Sequence, residues 1–124
     1  MYTILVVDDE KDIVSALEIY LKAEGYRVLS AGNGKEALSV AAREDVHLIL
    51  MDIMMPVMGG WDATKKIRAL PRADAKTIPI IAMSANAFQD DIAKSLQVGM
   101  NAHVTKPIQM EVLMKKLTEW LGKK

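Results

Sequence analysis

The sequence predicts an α/β fold, a doubly wound parallel sheet of five strands with helices on both faces, from three observations. Five short β-like segments alternate with longer segments of helical periodicity, which is typical of a parallel sheet built from strand–helix units. The first and third β-like segments are apolar throughout, as expected of strands buried on both faces. No repeat or linker interrupts the alternation, so we expect residues 1–124 to form a single domain.

The predicted elements follow from local composition and spacing. The β-like segments are Ile4–Val7, Arg27–Ala31, Leu48–Met51, Ile78–Met83 and Ala102–Thr105. Ile13, Leu17 and Leu21 recur four residues apart, which predicts the first helix. Comparable apolar stripes predict helices over Ala37–Ala42, Gly60–Leu70, Phe88–Leu96 and Leu113–Leu121. Helix-ending residues follow three of the five stripes, at Gly25, Pro71 and Gly99.

The composition excludes several classes of protein. Apolar residues make up 51% and charged residues 26%, as in ordinary soluble domains. Lys plus Arg equals Asp plus Glu at 16 each, which argues against direct binding of nucleic acid. No apolar segment is long enough to span a membrane, no signal peptide is recognisable, and no cysteine is present for disulfides or thiolate metal sites. We therefore expect a cytoplasmic protein without a membrane partner.

Polar residues follow four of the predicted strands. Asp8 and Asp9 follow the first strand, Asp52 the third, Ser84 the fourth and Lys106 the fifth. Because parallel strands bring their carboxyl ends to one edge of the sheet, where ligands bind, we expect these side chains to converge. Neighbouring carboxylates repel one another, and a hard divalent cation such as Mg²⁺, which prefers oxygen ligands, would offset that repulsion.

Each of these residues also has an ordinary structural interpretation. Asp8 and Asp9 could cap a helix, Asp52 could stabilise a loop, Ser84 could be a helix cap and Lys106 could be a solvated surface residue. A single one of them would not indicate a function. Their occurrence together at predicted strand ends favours a common site.

Four motifs carry a resemblance to a known family. The segments "VVDDE", "LILMDIMMPVMGG", "IPIIAMSANAF" and "HVTKPI" resemble the receiver domain of two-component response regulators, in order and spacing, over essentially the whole chain. The resemblance implies a flavodoxin-like (βα)5 sheet with strand order 2-1-3-4-5. It also implies a phosphoacceptor function in a two-component signal or phosphorelay.

The resemblance implies a role for each acid at the predicted edge. Asp52 resembles the phosphoacceptor that attacks a phosphohistidine of a partner. Asp9 resembles the direct Mg²⁺ ligand, Asp8 acts largely through water, and Asp52 and the backbone carbonyl of Met54 complete the set. The implied chemistry is self-catalysed phosphorylation and dephosphorylation of a signalling domain, which is not an enzyme acting on a separate substrate.

Three further residues match positions around the transferred group. Ser84 is implied to hydrogen-bond one phosphoryl oxygen and Lys106 to pair with another, while Pro107 matches a proline that follows a cis peptide bond. Phosphoryl transfer depends mainly on positioning and charge neutralisation. Mg²⁺ and Lys106 provide positive charge for that purpose.

Further motifs indicate which kind of receiver the chain resembles and which partner that resemblance implies. "MSANAF", "VGMNAH" and "LTEWL" are most similar to receivers of hybrid sensor histidine kinases. The implied partner is a histidine kinase dimerisation domain or a histidine phosphotransfer protein, with Ile13 as an apolar anchor or as a core residue. A transient dimer on phosphorylation is a further expectation.

Two features depart from the family pattern. His103 stands where many members have an aromatic residue that acts as a switch, and it is either a switch or a partly exposed strand residue. Met54 and Asn86 flank the path of a hydrolytic water, which predicts an unusual phosphoryl lifetime.

Three alternatives share parts of this pattern. A small Mg²⁺-dependent aspartyl phosphatase would have a second acid two residues after the nucleophile, where this chain has Met54. A phosphorylation-dead adaptor receiver would not need the intact polar set at the strand ends. A flavin-binding carrier would have a glycine- or hydroxyl-rich phosphate loop after the first strand, and none is present.

Overall fold

The computed structural model describes residues 1–85 and 89–122. Within these residues the elements are β1 Thr3–Val7, α1 Lys11–Ala23, β2 Arg27–Ala31, α2 Gly34–Arg43, β3 Leu48–Asp52, α3 Gly60–Arg68, β4 Ile80–Ser84, α4 Gln89–Val98, β5 Ala102–Thr105 and α5 Met110–Leu121. The five strands form one sheet in the order β2-β1-β3-β4-β5, and every neighbouring pair is parallel. The predicted fold class and strand order are confirmed.

The sheet separates two layers of core. Successive residues of a strand face opposite sides, so Leu5 and Val7 pack with α2 and α3, whereas Ile4 and Val6 pack with α1 and α5. The three central strands β1, β3 and β4 are buried along their whole length. This double coverage explains why their sequences show no polar alternation. In the part of the chain that the structure describes, every helix is too short or too polar to cross a membrane.

The predicted start of the fourth strand is wrong by two residues. The strand begins at Ile80 instead of Ile78. The N–H of Ile78 donates to the carbonyl of Asp74 at 2.9 Å, which completes the preceding turn. The carbonyl of Pro79 already accepts the N–H of Ile49 in β3 at 2.9 Å, but Pro79 has no N–H to donate to a ladder, so the strand itself begins at Ile80.

The apolar stripe predicted for the fourth helix does not identify its buried face. Phe88 lies outside the described residues, Ile92 is half-buried, and Leu96 is 56% exposed. The buried residue of α4 is Ser95, whose hydroxyl accepts a hydrogen bond from Nε1 of Trp61 at 2.9 Å. A buried hydroxyl is tolerated there because it has a partner.

Arg68, the last residue of α3, joins the two loops that precede β4 and β5. Its guanidinium donates to the carbonyls of Ala75 at 3.0 Å, Ile78 at 2.7 Å and Gly99 at 2.7 Å, and to Oδ1 of Asn101 at 2.8 Å. Burial lowers the pKa of Arg68, and its guanidinium is shared by all four of these acceptors. The sequence analysis did not identify this residue.

We expect Arg68→Met to lower the free energy of unfolding by about 2–4 kcal/mol, because several acceptors lose a charge-assisted hydrogen bond inside the protein. Urea denaturation followed by circular dichroism measures the change. Arg43→Met is the matched control, since Arg43 is exposed and donates to Ser39 of its own helix, and it should change stability by less than about 0.5 kcal/mol. Equal effects of the two variants would refute the structural role of Arg68.

Candidate functional site

Three acids meet at the carboxyl edge of the sheet. Asp8 follows β1 and is 2% exposed, while Asp52 ends β3 and is 3% exposed. The two strands are neighbours, with Val7 opposite Met51, so the residues that come next leave the sheet side by side. Asp9 is exposed, and one carboxylate oxygen from each of the three acids lies within 4.8 Å of the others. The predicted convergence of Asp8, Asp9 and Asp52 is confirmed.

Local turns fix the two buried carboxylates. Oδ1 of Asp8 accepts the N–H of Glu10 at 3.0 Å, and Oδ1 of Asp52 accepts the N–H of Met54 at 3.2 Å. Aspartate favours such turns because its short side chain reaches the backbone two residues on. A Cβ at Gly60 would lie 2.4 Å from the carbonyl oxygen of Asp52, so only glycine lets α3 begin this close to the site.

Lys106 places a positive charge among the acids at the carboxyl edge of the sheet. Its side chain is 12% exposed, and Nζ lies 2.8 Å from Oδ2 of Asp8, 3.4 Å from Oδ2 of Asp52 and 3.8 Å from Oε1 of Glu10. Oδ2 of Asp8 is fully buried and makes this ion pair without a hydrogen bond of regular geometry. The interpretation of Lys106 as a solvated surface residue is therefore wrong. The Lys106–Pro107 peptide bond is cis, as the resemblance implied.

Ser84 lies at the same edge, at the end of β4. It is 3% exposed and follows Met83, the register partner of Asp52. Its carbonyl accepts the N–H of Lys106 at 2.7 Å, which joins the ends of β4 and β5. The predicted convergence of Ser84 and Lys106 with the acids is thus confirmed.

The electrostatic balance of the site is negative. Burial, and then the charge of Asp8, raise the pKa of Asp52 to about 6, although Lys106 and the Met54 amide act in the opposite direction. Burial alone would lower the pKa of Lys106, but its contact with Asp8 and the charges of Asp52 and Asp8 outweigh burial and raise it. Asp8, Asp9 and Asp52 carry three negative charges when ionised against one positive charge on Lys106.

The donor set fits a magnesium ion. The acids offer carboxylate oxygens close enough to share one ion, and a divalent cation would offset their excess of negative charge over Lys106. Asp9 is exposed, so water has access to complete the coordination shell, as Mg²⁺ requires. Zinc or copper would instead favour histidine or cysteine ligands, whereas the cluster found among the described residues consists of aspartates.

Ile13 and Met54 do not belong to the cluster of three acids. Ile13 is half-buried on α1 and lines a cavity of about 180 Å³ together with Pro107 and Met110. Met54 is 72% exposed. Asn86 lies outside the described residues.

His103 is a partly exposed residue of the edge strand β5. Its Nε2 atom is buried and has no hydrogen-bond partner among the residues that the structure describes. Burial lowers the pKa of His103, and Asp91 opposes that shift. The interpretation as a partly exposed strand residue is confirmed, and its action as a switch stays a prediction.

Two residues near the site were missed by sequence reasoning. Glu10 approaches Lys106, and the only signal for it is the third acid of "VVDDE". Val57 has a positive φ of 69° in the loop after Asp52. Nothing in the sequence indicates that conformation, because valine rarely adopts it.

Comparisons with known proteins identify the family. The response regulator receiver domain family matches residues 4–118. The chain is 37% identical over 118 residues to the CAI-1 autoinducer sensor kinase/phosphatase CqsS of Vibrio cholerae, and the match covers 95% of this chain and 17% of that protein. Matches to the response regulator SaeR of Staphylococcus epidermidis cover 99% of this chain and 52% of that protein at 33% identity. The chain thus spans about half or less of these relatives.

A solved receiver structure agrees over nearly the whole fold. The receiver domain of sensor histidine kinase PA1611 from Pseudomonas aeruginosa, with a magnesium ion coordinated in its active site cleft, is 38% identical with a TM-score of 0.89, and 98% of each chain is covered. Together with the family match and the kinase relative, this likeness agrees with the hybrid-kinase subtype. The chain therefore belongs to the response regulator receiver domain family and is a phosphoacceptor domain of two-component signalling.

Proposed function

We propose that Asp52 is the phosphoacceptor and that Asp8, Asp9, Asp52 and the carbonyl of Met54 hold the Mg²⁺ ion on which the transfer depends. The observation that carries this proposal is that the carboxylate of Asp52 lies near a cationic side chain and near two further carboxylates that could share a metal ion with it. Its carboxylate lies 3.4 Å from Nζ of Lys106 and within 4.8 Å of oxygens from Asp8 and Asp9. The magnesium ion in the PA1611 receiver supports the metal assignment.

The proposed transfer is a displacement at phosphorus. A carboxylate oxygen of Asp52 forms the new O–P bond, and the N–P bond of the donor phosphohistidine breaks with its electron pair going to the imidazole nitrogen. Lys106 pairs with one equatorial oxygen and the hydroxyl of Ser84 donates to another, so that charge is stabilised where it develops. Mg²⁺, when bound, supplies further positive charge to the transferring group.

The wild-type chain provides the direct test. Incubation with acetyl phosphate and Mg²⁺, followed by intact-mass measurement, should give one phosphoryl adduct that does not form in EDTA. Absence of an adduct would support an adaptor that lacks the chemistry, and would overturn the proposal. Continuous release of phosphate from an ordinary phosphate monoester, which lacks the activated leaving group of acetyl phosphate or a phosphohistidine, would instead support the phosphatase. The thioether of Met54 cannot protonate a leaving group, which argues against that alternative.

We further infer that the donor is a histidine-bearing helical protein that docks over α1. A chain in the co-crystal structure of the histidine phosphotransfer signaling protein Ypd1 with the receiver domain of Ssk1, from Saccharomyces cerevisiae, is 32% identical with a TM-score of 0.88. The match covers 96% of this chain and 88% of that chain.

An apolar cavity offers a docking point on α1. Ile13 borders this cavity beside Pro107, next to Lys106 of the site. Such a cavity accepts an apolar side chain of a docking helix. A dimer formed on phosphorylation stays a prediction.

Ile13→Ala should therefore slow phosphoryl transfer from a protein donor by about tenfold, as the loss of about 1.4 kcal/mol of contact energy would, while leaving the acetyl phosphate rate nearly unchanged. Rates of adduct formation from the two donors measure the difference. Val14→Ala is the control, because Val14 is also half-buried on α1 but lines the groove beside β2. Equal slowing with both donors would mean that Ile13 acts only through packing.

A further inference from the structure

The nine methionines of the chain differ widely in their access to solvent. Three of them lie in the core and are at most 3% exposed, namely Met51, Met83 and Met100. Four more are half-buried, namely Met55, Met58, Met110 and Met114. Met54 is 72% exposed, a fraction that among the methionines only the N-terminal Met1 exceeds, at 92%. Within the folded domain, solvent therefore reaches the thioether of Met54 more freely than that of any other methionine.

This exposed thioether is attached directly to the phosphoacceptor site. The backbone N–H of Met54 lies 3.2 Å from Oδ1 of Asp52, so the side chain of Met54 begins one atom beyond a group that contacts the buried carboxylate. A methionine side chain is unbranched and turns about three rotatable bonds. The sulfur of Met54 is thus mobile, open to solvent and within reach of a group bound to Asp52.

Oxidation would change what this side chain can do to water. A thioether is a weak hydrogen-bond acceptor and no donor, whereas the sulfoxide is polar, carries an accepting oxygen and is reduced again by methionine sulfoxide reductases. With hydrogen peroxide as the oxidant, a lone pair of the sulfur attacks one peroxide oxygen, so that the S–O bond forms as the O–O bond breaks. The released hydroxide takes up the remaining proton and leaves as water. The sulfur is oxidised by two electrons, and the peroxide is reduced.

We propose that Met54 is a redox modification site, at which oxidation to the sulfoxide by a peroxide shortens the lifetime of the phosphoryl group on Asp52. In the hydrolysis, the oxygen of a water forms a bond to phosphorus, the bond between phosphorus and the Asp52 carboxylate breaks, and inorganic phosphate leaves. The sulfoxide oxygen accepts a hydrogen bond from that water and lowers the entropic cost of holding it in place. This inference rests on the proposed function and adds a reversible chemical input to it.

The first measurement locates the modification. The wild type is treated briefly with hydrogen peroxide and digested with trypsin, and fragment spectra assign the added oxygen. Cleavage after Arg43 and Lys65 leaves Met54 in the same peptide as Met55 and Met58, which serve as internal standards. Met54 should be oxidised several-fold faster than these two, because oxidation follows exposure. Equal oxidation of the three residues would overturn the inference.

The second measurement is the decay of the adduct. Treated and untreated proteins are phosphorylated with acetyl phosphate, freed of the donor and followed by intact mass in excess Mg²⁺. The treated wild type should lose its phosphoryl group about fivefold faster, the effect of lowering the barrier by about 1 kcal/mol. Met58→Leu is the matched control, since Met58 is a half-buried methionine of the same loop, and it should keep both the untreated rate and the full response to peroxide.

Two substitutions of Met54 test the chemistry. Met54→Leu has no sulfur at this position, so its decay should not respond to peroxide, whereas Met54→Gln, with an accepting amide oxygen, should decay faster than the wild type without any peroxide. An oxidised wild type that decays at the untreated rate would overturn the inference, as would a Met54→Leu variant that still responds or a Met54→Gln variant that decays no faster. Failure of the untreated wild type to form an adduct would instead overturn the proposed function.

Discussion

Asp52→Asn should fold and should form no phosphoryl adduct with acetyl phosphate or with a protein donor. The amide has nearly the shape of the carboxylate, and its oxygen can still accept the N–H of Met54 that Oδ1 accepts in the wild type. It lacks the anionic oxygen that forms the O–P bond, so the effect is a complete loss of product and not a partial reduction.

The same substitution should also stabilise the metal-free protein. Asp52 is buried beside Asp8, and both burial and that charge oppose its ionisation. Removing one negative charge relieves this repulsion, so the urea midpoint without Mg²⁺ should rise. Asp62→Asn is the matched control, because Asp62 is an exposed acid in the first turn of α3. This variant should keep the adduct, and its midpoint should not rise, because it loses a favourable interaction with the helix dipole. An adduct that forms on Asp52→Asn at the wild-type rate would refute the assignment of Asp52.

Mg²⁺ should stabilise the folded chain, and Asp9→Ala should remove most of that stabilisation. An ion that binds only the folded state at ten times its Kd adds about 1.4 kcal/mol to the free energy of unfolding, which corresponds to a rise in Tm of about 3–6 °C for a domain of this size. Asp9 is the exposed member of the cluster of three acids, so its removal disturbs the fold least. Thermal unfolding with Mg²⁺ and with EDTA measures the difference.

Asp12→Ala is the control for this experiment. Asp12 is an exposed acid in the first turn of α1, three residues from Asp9, and lies outside the cluster of carboxylates. The variant should have a slightly lower metal-free Tm than the wild type, because it loses an interaction with the helix dipole, but its response to Mg²⁺ should be complete. A wild-type Tm that does not change at Mg²⁺ concentrations far above the Kd values typical of magnesium sites would contradict the assignment of the metal.

Much of the architecture could be predicted from local sequence. Continuous apolar segments such as Leu48–Met51 indicate a doubly covered strand without any knowledge of its neighbours, because burial on both faces removes the polar alternation. Parallel strands bring their carboxyl ends together, so Asp8, Asp52 and Lys106 could be expected at one edge before their distances were known. The strand order came from the resemblance to receivers, since alternation alone is compatible with several orders.

The contacts that define the site were decided by tertiary structure. A sequence pattern does not distinguish a solvated lysine from Lys106, whose Nζ lies 2.8 Å from a buried carboxylate oxygen, because the burial of a side chain depends on segments far away in the chain. For the same reason Ser95 and not Leu96 is buried in α4, where Trp61 of another helix supplies its partner.

The backbone conformation of Val57 was also decided by tertiary contacts. Local preference disfavours a positive φ for valine, but the hydrogen bond from Gly34 to Met58 and the close packing of α2 against the loop outweigh that preference. Periodicity and composition were enough to predict the succession of strands and helices along the chain and the residues at the strand ends, because both are local properties. Which polar groups are buried, which are paired and which residues are strained could be known only from the folded chain, because those properties depend on contacts between distant segments.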